Sequence, residues 1–166
     1  MWNYLKIKNI TFSNKKLHFS IPFAFLILLF CQIVIGAFVS GMDAGKIYNS
    51  WPLMGSSYFP DDNKIVNLFN FDVFNDPSLV QFIHRNLAYL ILFFYILIIL
   101  KIYRDKLTDF YFSINLLGII LIIQIFLGIL TLFYGAQIFL ASMHQICSIF
   151  LVSSSIYFLF LNSNTS

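Results

Sequence analysis

Charge is what this sequence has least of. Of its 166 residues only 10% are charged, glutamate is absent altogether, and cysteine occurs twice. A soluble domain carries roughly 25% charged residues, which excludes a water-exposed globule. With 60% hydrophobic residues and a mean hydropathy of +0.84, the chain reads as an integral membrane protein. Its net charge of +3 comes mostly from lysines flanking apolar runs and does not point to nucleic-acid binding. Cys31 and Cys147 both fall inside apolar runs. Neither has the spacing of a metal site or a loop staple, so both read as packing residues.

What is present is four long apolar segments. A helix needs roughly 20 such residues to cross a bilayer, and about Ile21–Ser40, Leu79–Leu100, Ile114–Tyr134 and Ile138–Leu161 qualify. All must be helices, because lipid satisfies no backbone hydrogen bond. Asp76-Pro77 supplies an N-cap and a first-turn proline for the second, and Gly135 with Gln137 marks a short turn between third and fourth. The first run is too long for a signal-peptide core and reads as an uncleaved span. Residues 1–20 are then a basic segment, 21–161 one four-helix domain with a loop at 41–78, and 162–166 a tail.

Orientation follows from the basic residues of the short loops. Lys6, Lys8, Lys15 and Lys16 precede the first span, and Lys101, Arg104 and Lys106 separate the second from the third. The 41–78 loop has only Lys46 and Lys64 against Asp43, Asp61, Asp62, Asp72 and Asp76. Both termini are therefore expected on the cytoplasmic face and the acidic loop outside. Tyr48, Trp51, Tyr58 and Phe59 fit an interfacial aromatic belt.

Ionisable side chains inside spans are costly and mark function. His84 lies seven residues after Pro77, and His144 seven after Gln137. At 1.5 Å per residue each is roughly 10 Å along a helix entering from the outer face, so the two imidazoles are level. The first and third spans share Gln32-Ile-Val-Ile-Gly36 and Gln124-Ile-Phe-Leu-Gly128, each followed by a span with one histidine. The chain thus reads as two parallel-repeat hairpins that present their histidines to a common centre. That geometry makes the second and fourth helices expected neighbours. Gly36 and Gly128 remove bulk where helices or a flat ligand approach closely.

Two readings compete for the histidines. They hydrogen-bond across helices as polar residues in membranes do, or they are the two axial ligands of one haem. Matched depth, the repeat and the adjacent Arg85, whose planar fork suits a haem propionate, favour haem. Gln81, one turn before His84, is a candidate support for that ligand or a helix–helix bond. His18 reads as a solvated interfacial residue.

Several strings in order resemble the second half of heme A synthases from about Pro22 onward. They are Gly36-Ala-Phe-Val-Ser-Gly-Met-Asp-Ala-Gly45, Tyr48-Asn-Ser-Trp-Pro-Leu-Met-Gly55, Asn75-Asp-Pro-Ser-Leu-Val-Gln-Phe-Ile-His-Arg85, Leu127-Gly-Ile-Leu-Thr131 and Leu140-Ala-Ser-Met-His-Gln145. The resemblance implies conversion of a haem O methyl group to the formyl of haem A, for terminal oxidases, by a protein of eight spans in two halves. The first half of that family holds the substrate haem and a catalytic Glu. The second binds haem b through histidines matching His84 and His144 and relays electrons. This chain has four spans and no Glu, so it is not by resemblance a complete synthase. The implied partners are the lipid bilayer, an N-terminal half, haem O synthase and an electron donor. The implied location is a bacterial inner membrane, or the mitochondrial one in a eukaryote. A stand-alone b-type cytochrome and a structural or transport bundle are the alternatives.

Overall fold

The computed structural model describes residues 16–164, so Lys6, Lys8 and Lys15 of the expected basic segment lie outside the described residues. Four helices carry the fold: α1 (Ser20–Gly41), α2 (Pro77–Arg104), α3 (Tyr111–Phe133) and α4 (Ile138–Asn164). All four are long and apolar enough to cross a membrane. Asp76 caps α2, its Oδ1 accepting from the Leu79 amide at 3.0 Å, with Pro77 in the first turn. The α3–α4 turn is made by Gly135 and Ala136, both in the left-handed region (φ 62° and 56°). Ala136 N–H donates to Thr131 O at 2.8 Å, which satisfies an end carbonyl of α3.

The helices form a ring in chain order. α1 packs on α2 and α3 on α4, α1 closes onto α4, and α2 makes a smaller contact with α3. The expectation that α2 and α4 are neighbours is corrected: they stand diagonally opposite. Short or folded connections place sequence-adjacent helices side by side, so the two histidine-bearing helices face each other across the centre.

The buried core lies at the end of the bundle where both described termini sit. Phe25, Leu29, Ile91, Ile98, Ile102, Phe110, Ile114, Leu117, Leu151 and Phe158 compose it. Phe110 meets Phe158 edge to face with centroids 5.9 Å apart. At the same end α4 runs past Leu161 to Asn164, so residues 162–164 are helix and not tail. Asn162 is buried there because it pairs with the Leu17 backbone, accepting from its N–H at 2.9 Å and donating to its carbonyl at 3.1 Å.

At the opposite end the 41–78 connection is folded rather than extended, with short 3-10 turns at Ala44–Lys46, Ile65–Phe69 and Phe71–Asn75. Asn49 Nδ2 donates to Leu132 O at the end of α3 (2.8 Å), and Tyr58 Oη donates to Asn86 on α2 (2.6 Å). The connection is therefore tied to the loop end of the bundle on two sides. Cys31 is exposed on the outer face of α1, contrary to a packing role inside the bundle, and Cys147 is partly buried.

Candidate cofactor site

Each histidine rests against a glycine of the helix that precedes it in the chain. A Cβ built on Gly36 would stand 3.2 Å from His84 Cε1, and one on Gly128 would stand 3.0 Å from His144 Cε1. Glycine at these two points lets an imidazole lie against helix backbone. The glutamine one turn earlier completes each cradle. Gln32 Nε2 lies 3.2 Å from His84 Nε2 and donates to the His84 carbonyl at 3.1 Å. Gln124 Nε2 lies 3.4 Å from His144 Nε2. The Gln-x-x-x-Gly repeat is thus a repeat of structure: each copy seats one histidine.

The bonding fixes the tautomers. His144 Nδ1 is 3.1 Å from the Gln124 backbone carbonyl, which only accepts, so Nδ1 carries the proton. Its Nε2 is then a lone pair receiving the Gln124 amide. His84 Nε2 likewise faces the donor amide of Gln32, which leaves the proton on Nδ1, buried and without a partner. Two neutral imidazoles with available Nε2 lone pairs are the form in which histidine binds a metal.

Unsatisfied polar atoms gather here. Among the described residues, Gln32 Oε1, Gln81 Oε1, His84 Nδ1, Arg85 Nε, Tyr89 Oη and Gln124 Oε1 are buried without a hydrogen-bond partner, and Ser155 Oγ is the only other. Native interiors leave few such atoms; here three belong to the two cradles (Gln32 Oε1, His84 Nδ1 and Gln124 Oε1) and three lie on α2 within five residues of His84, which marks a place suited to another group. No cluster of three or more His, Cys or Asp exists among the described residues, so any metal would have to arrive with most of its own ligands.

Arg85 and Gln81 do other work than their sequence neighbourhood implied. The Arg85 fork is occupied by the connection: Nη1 donates to Ser50 O (2.9 Å) and Leu53 O (3.3 Å), and Nη2 to Tyr48 O (2.9 Å). Gln81 Nε2 donates to the same Tyr48 carbonyl at 3.0 Å and makes no bond to His84. Together they pin residues 48–53 over the loop end of α2. Arg85 Nε and Gln81 Oε1 stay unpaired. His18 is exposed as expected, its Nδ1 accepting from Ser20 N–H. Sequence reasoning missed the roles of Gln32 and Gln124, whose signal was their place in the repeat. Tyr89 was missed too; one turn after Arg85, it had no signal beyond that spacing.

The sequence matches the cytochrome oxidase assembly protein family (COX15-CtaA) over residues 1–156. It is 46% identical to the heme A synthase of Pelagibacter ubique (strain HTCC1062), covering 98% of this chain and 48% of that protein. Identity to the heme A synthase of Rickettsia bellii (strain RML369-C) is 42%, over 87% of this chain and 43% of that protein. Identity to the heme A synthase of Wolbachia pipientis wMel is also 42%, over 81% and 37%. The chain therefore spans about half the length, or less, of the curated relatives it matches. No solved structure matches.

Proposed function

Because the chain belongs to the cytochrome oxidase assembly protein family and is a multi-pass inner-membrane protein, we propose that it is the haem b-binding C-terminal half of a heme A synthase. On this reading it serves haem A formation beside a second, catalytic half and does not perform the oxidation alone. Its termini lie on the cytoplasmic side, supported by the basic residues before α1 and between α2 and α3.

The observation that carries the proposal is the duplicated cradle. His84 on Gly36 and Gln32, and His144 on Gly128 and Gln124, are seated in the same way on helices that stand diagonally opposite in the bundle. The donor set fits haem. The Nε2 lone pairs of His84 and His144 would hold the haem iron, and Gln32 Oε1 and Gln124 Oε1 beside them are without a hydrogen-bond partner. Bound in this way, haem b supplies reversible one-electron transfer. The protein's part is to hold and orient. The Gln124 carbonyl keeps the His144 proton on Nδ1, which preserves the Nε2 lone pair and raises its basicity. Gln32 and Gln124 aim donor amides at the two Nε2 atoms and so orient the rings. Arg85 and Gln81 hold the 48–53 segment against α2 and limit water at the loop end.

Purified chain titrated with hemin tests the reading. The expected result is one low-spin haem per chain, lost or severely weakened in His84→Ala and in His144→Ala. An unchanged low-spin spectrum in both variants would place the ligands elsewhere, and no haem binding at all would leave a structural bundle.

A further inference from the structure

The outward face of α4 differs from those of the other three helices. Away from the helix ends, where Ser20, Ser40 and Gly41 of α1 and Tyr103 and Arg104 of α2 are exposed, the exposed residues of α1 are Phe, Ile, Val, Ala and Cys31, those of α2 are Leu, Ile and Phe, and those of α3 beyond its first turns are Ile and Phe. Asn115 near the start of α3 is exposed but pairs with Tyr103 at 2.9 Å. On α4, Ser142, Gln145, Ile149 and Ser153 are all exposed and recur at three- and four-residue spacing along one stripe. Gln145 is adjacent in sequence to His144, and so at its depth, about 10 Å into the span. Its carboxamide makes no hydrogen bond within the described residues, whereas Ser153 satisfies itself on Ile149 O at 2.8 Å. An unpaired amide in hydrocarbon is costly, and small or polar side chains at such spacing are what transmembrane helices use to bind one another.

We propose that this α4 face is the docking surface for the part of the heme A synthases that this chain does not match, a further set of membrane helices, whether joined to this chain or separate. The proposal rests on the reading of the chain as half of a heme A synthase. The occupant follows from length. The Pelagibacter relative has 52% of its residues (100 less the 48% covered) outside the match. That half must pack in the same membrane, and among the described residues α4 is the helix with an exposed, unpaired carboxamide inside its span. Gln145 supplies both a donor and an acceptor there, so the partner helix presents a polar side chain at the same depth, and Ser142 and Ser153 allow close approach on either side.

The test uses the full chain co-expressed with the unmatched segment of the Pelagibacter heme A synthase, with benzoylphenylalanine placed at Gln145 or Ile149 on α4, or at Ile122 or Phe126 on α3. Photolysis in membranes is expected to give adducts of this chain with that segment from the α4 positions only. Gln145→Leu is expected to reduce co-purification about tenfold while the low-spin haem spectrum of the chain persists. Adducts from α3, adducts between two copies of this chain, or co-purification without any α4 adduct would each overturn the proposal, as would failure of the two parts to associate. Failure of the underlying reading shows separately, as a chain that takes up no haem b.

Discussion

At the scale of single residues, each imidazole of the candidate site rests where a side chain is missing. His144 Cε1 lies 3.0 Å from where a Gly128 Cβ would stand, and His84 Cε1 lies 3.2 Å from that of Gly36. The His144 ring is also pinned through Nδ1 to the Gln124 carbonyl, whereas His84 Nδ1 has no such anchor. Gly128→Ala therefore meets a ring that has little freedom to yield, and Gly36→Ala meets one that turns aside more easily. Overpacking of this kind costs about 1–3 kcal/mol. Hemin titration should show affinity falling about tenfold or more for Gly128→Ala and less for Gly36→Ala; equal affinities in both variants and wild type would mean that neither ring contacts the cofactor from this seat. The histidines themselves stood out in the sequence as ionisable residues inside apolar spans, and the structure places each near a helix start, seven residues after Pro77 and six after Ile138. The partners of Arg85 were not, because which carbonyls its fork meets depends on how residues 48–53 fold back, and no periodicity encodes that.

At the scale of elements, the helices were legible and the long connection was not, for the same physical reason. A span has to be apolar over the thickness of the hydrocarbon, so composition alone marks α1 to α4 within a few residues. The connection is instead held by individual aspartates. Asp61 accepts from the Ser56 N–H at 2.7 Å and from the hydroxyls of Ser56 and Ser57, and these bonds hold its pKa below the ordinary 3.8. Burial of Asp62 works to raise its pKa, but the hydroxyls of Ser78 (2.6 Å) and Tyr48 (2.9 Å) outweigh it, and the net direction is again downward. Carboxylates with depressed folded pKa values stabilise the folded connection above their unfolded value and lose that contribution as pH falls through the folded one. The connection should thus stay protected from protease at neutral and mildly acidic pH and open only below 3.8, while the helical circular dichroism holds. Opening that begins near pH 6 would show that groups other than these aspartates control it.

At the scale of the whole molecule, the two ends of the bundle have different tasks. The end with both described termini is packed with Phe, Leu and Ile and locked by Asn162 on Leu17, so it keeps the ring of helices in register. The loop end has the cradle glycines and glutamines and most of the unsatisfied polar atoms, beside a smaller buried set at Met54, Leu79 and Val80. That division allows a bound group without loss of the fold, and it also sets what the chain can do by itself. Oxidising a methyl group to a formyl requires an iron with an open position for oxygen. On the proposed reading, in which both His84 and His144 would hold the haem iron, this unit would leave none, and a chain with no glutamate has no such acid to place beside a substrate. The candidate site is confined to this four-helix unit, and the unit matches only 48% of its Pelagibacter relative. We therefore expect cells that make haem O but lack their own synthase to form no haem A when they express this chain alone, measured by chromatography of extracted haems. Adding the unmatched segment of the Pelagibacter protein should restore haem A, and His84→Ala or His144→Ala should abolish that restoration. Haem A formed by this chain with no second half present would mean that one of its histidines leaves the iron during turnover, and the division of labour between halves would have to be abandoned.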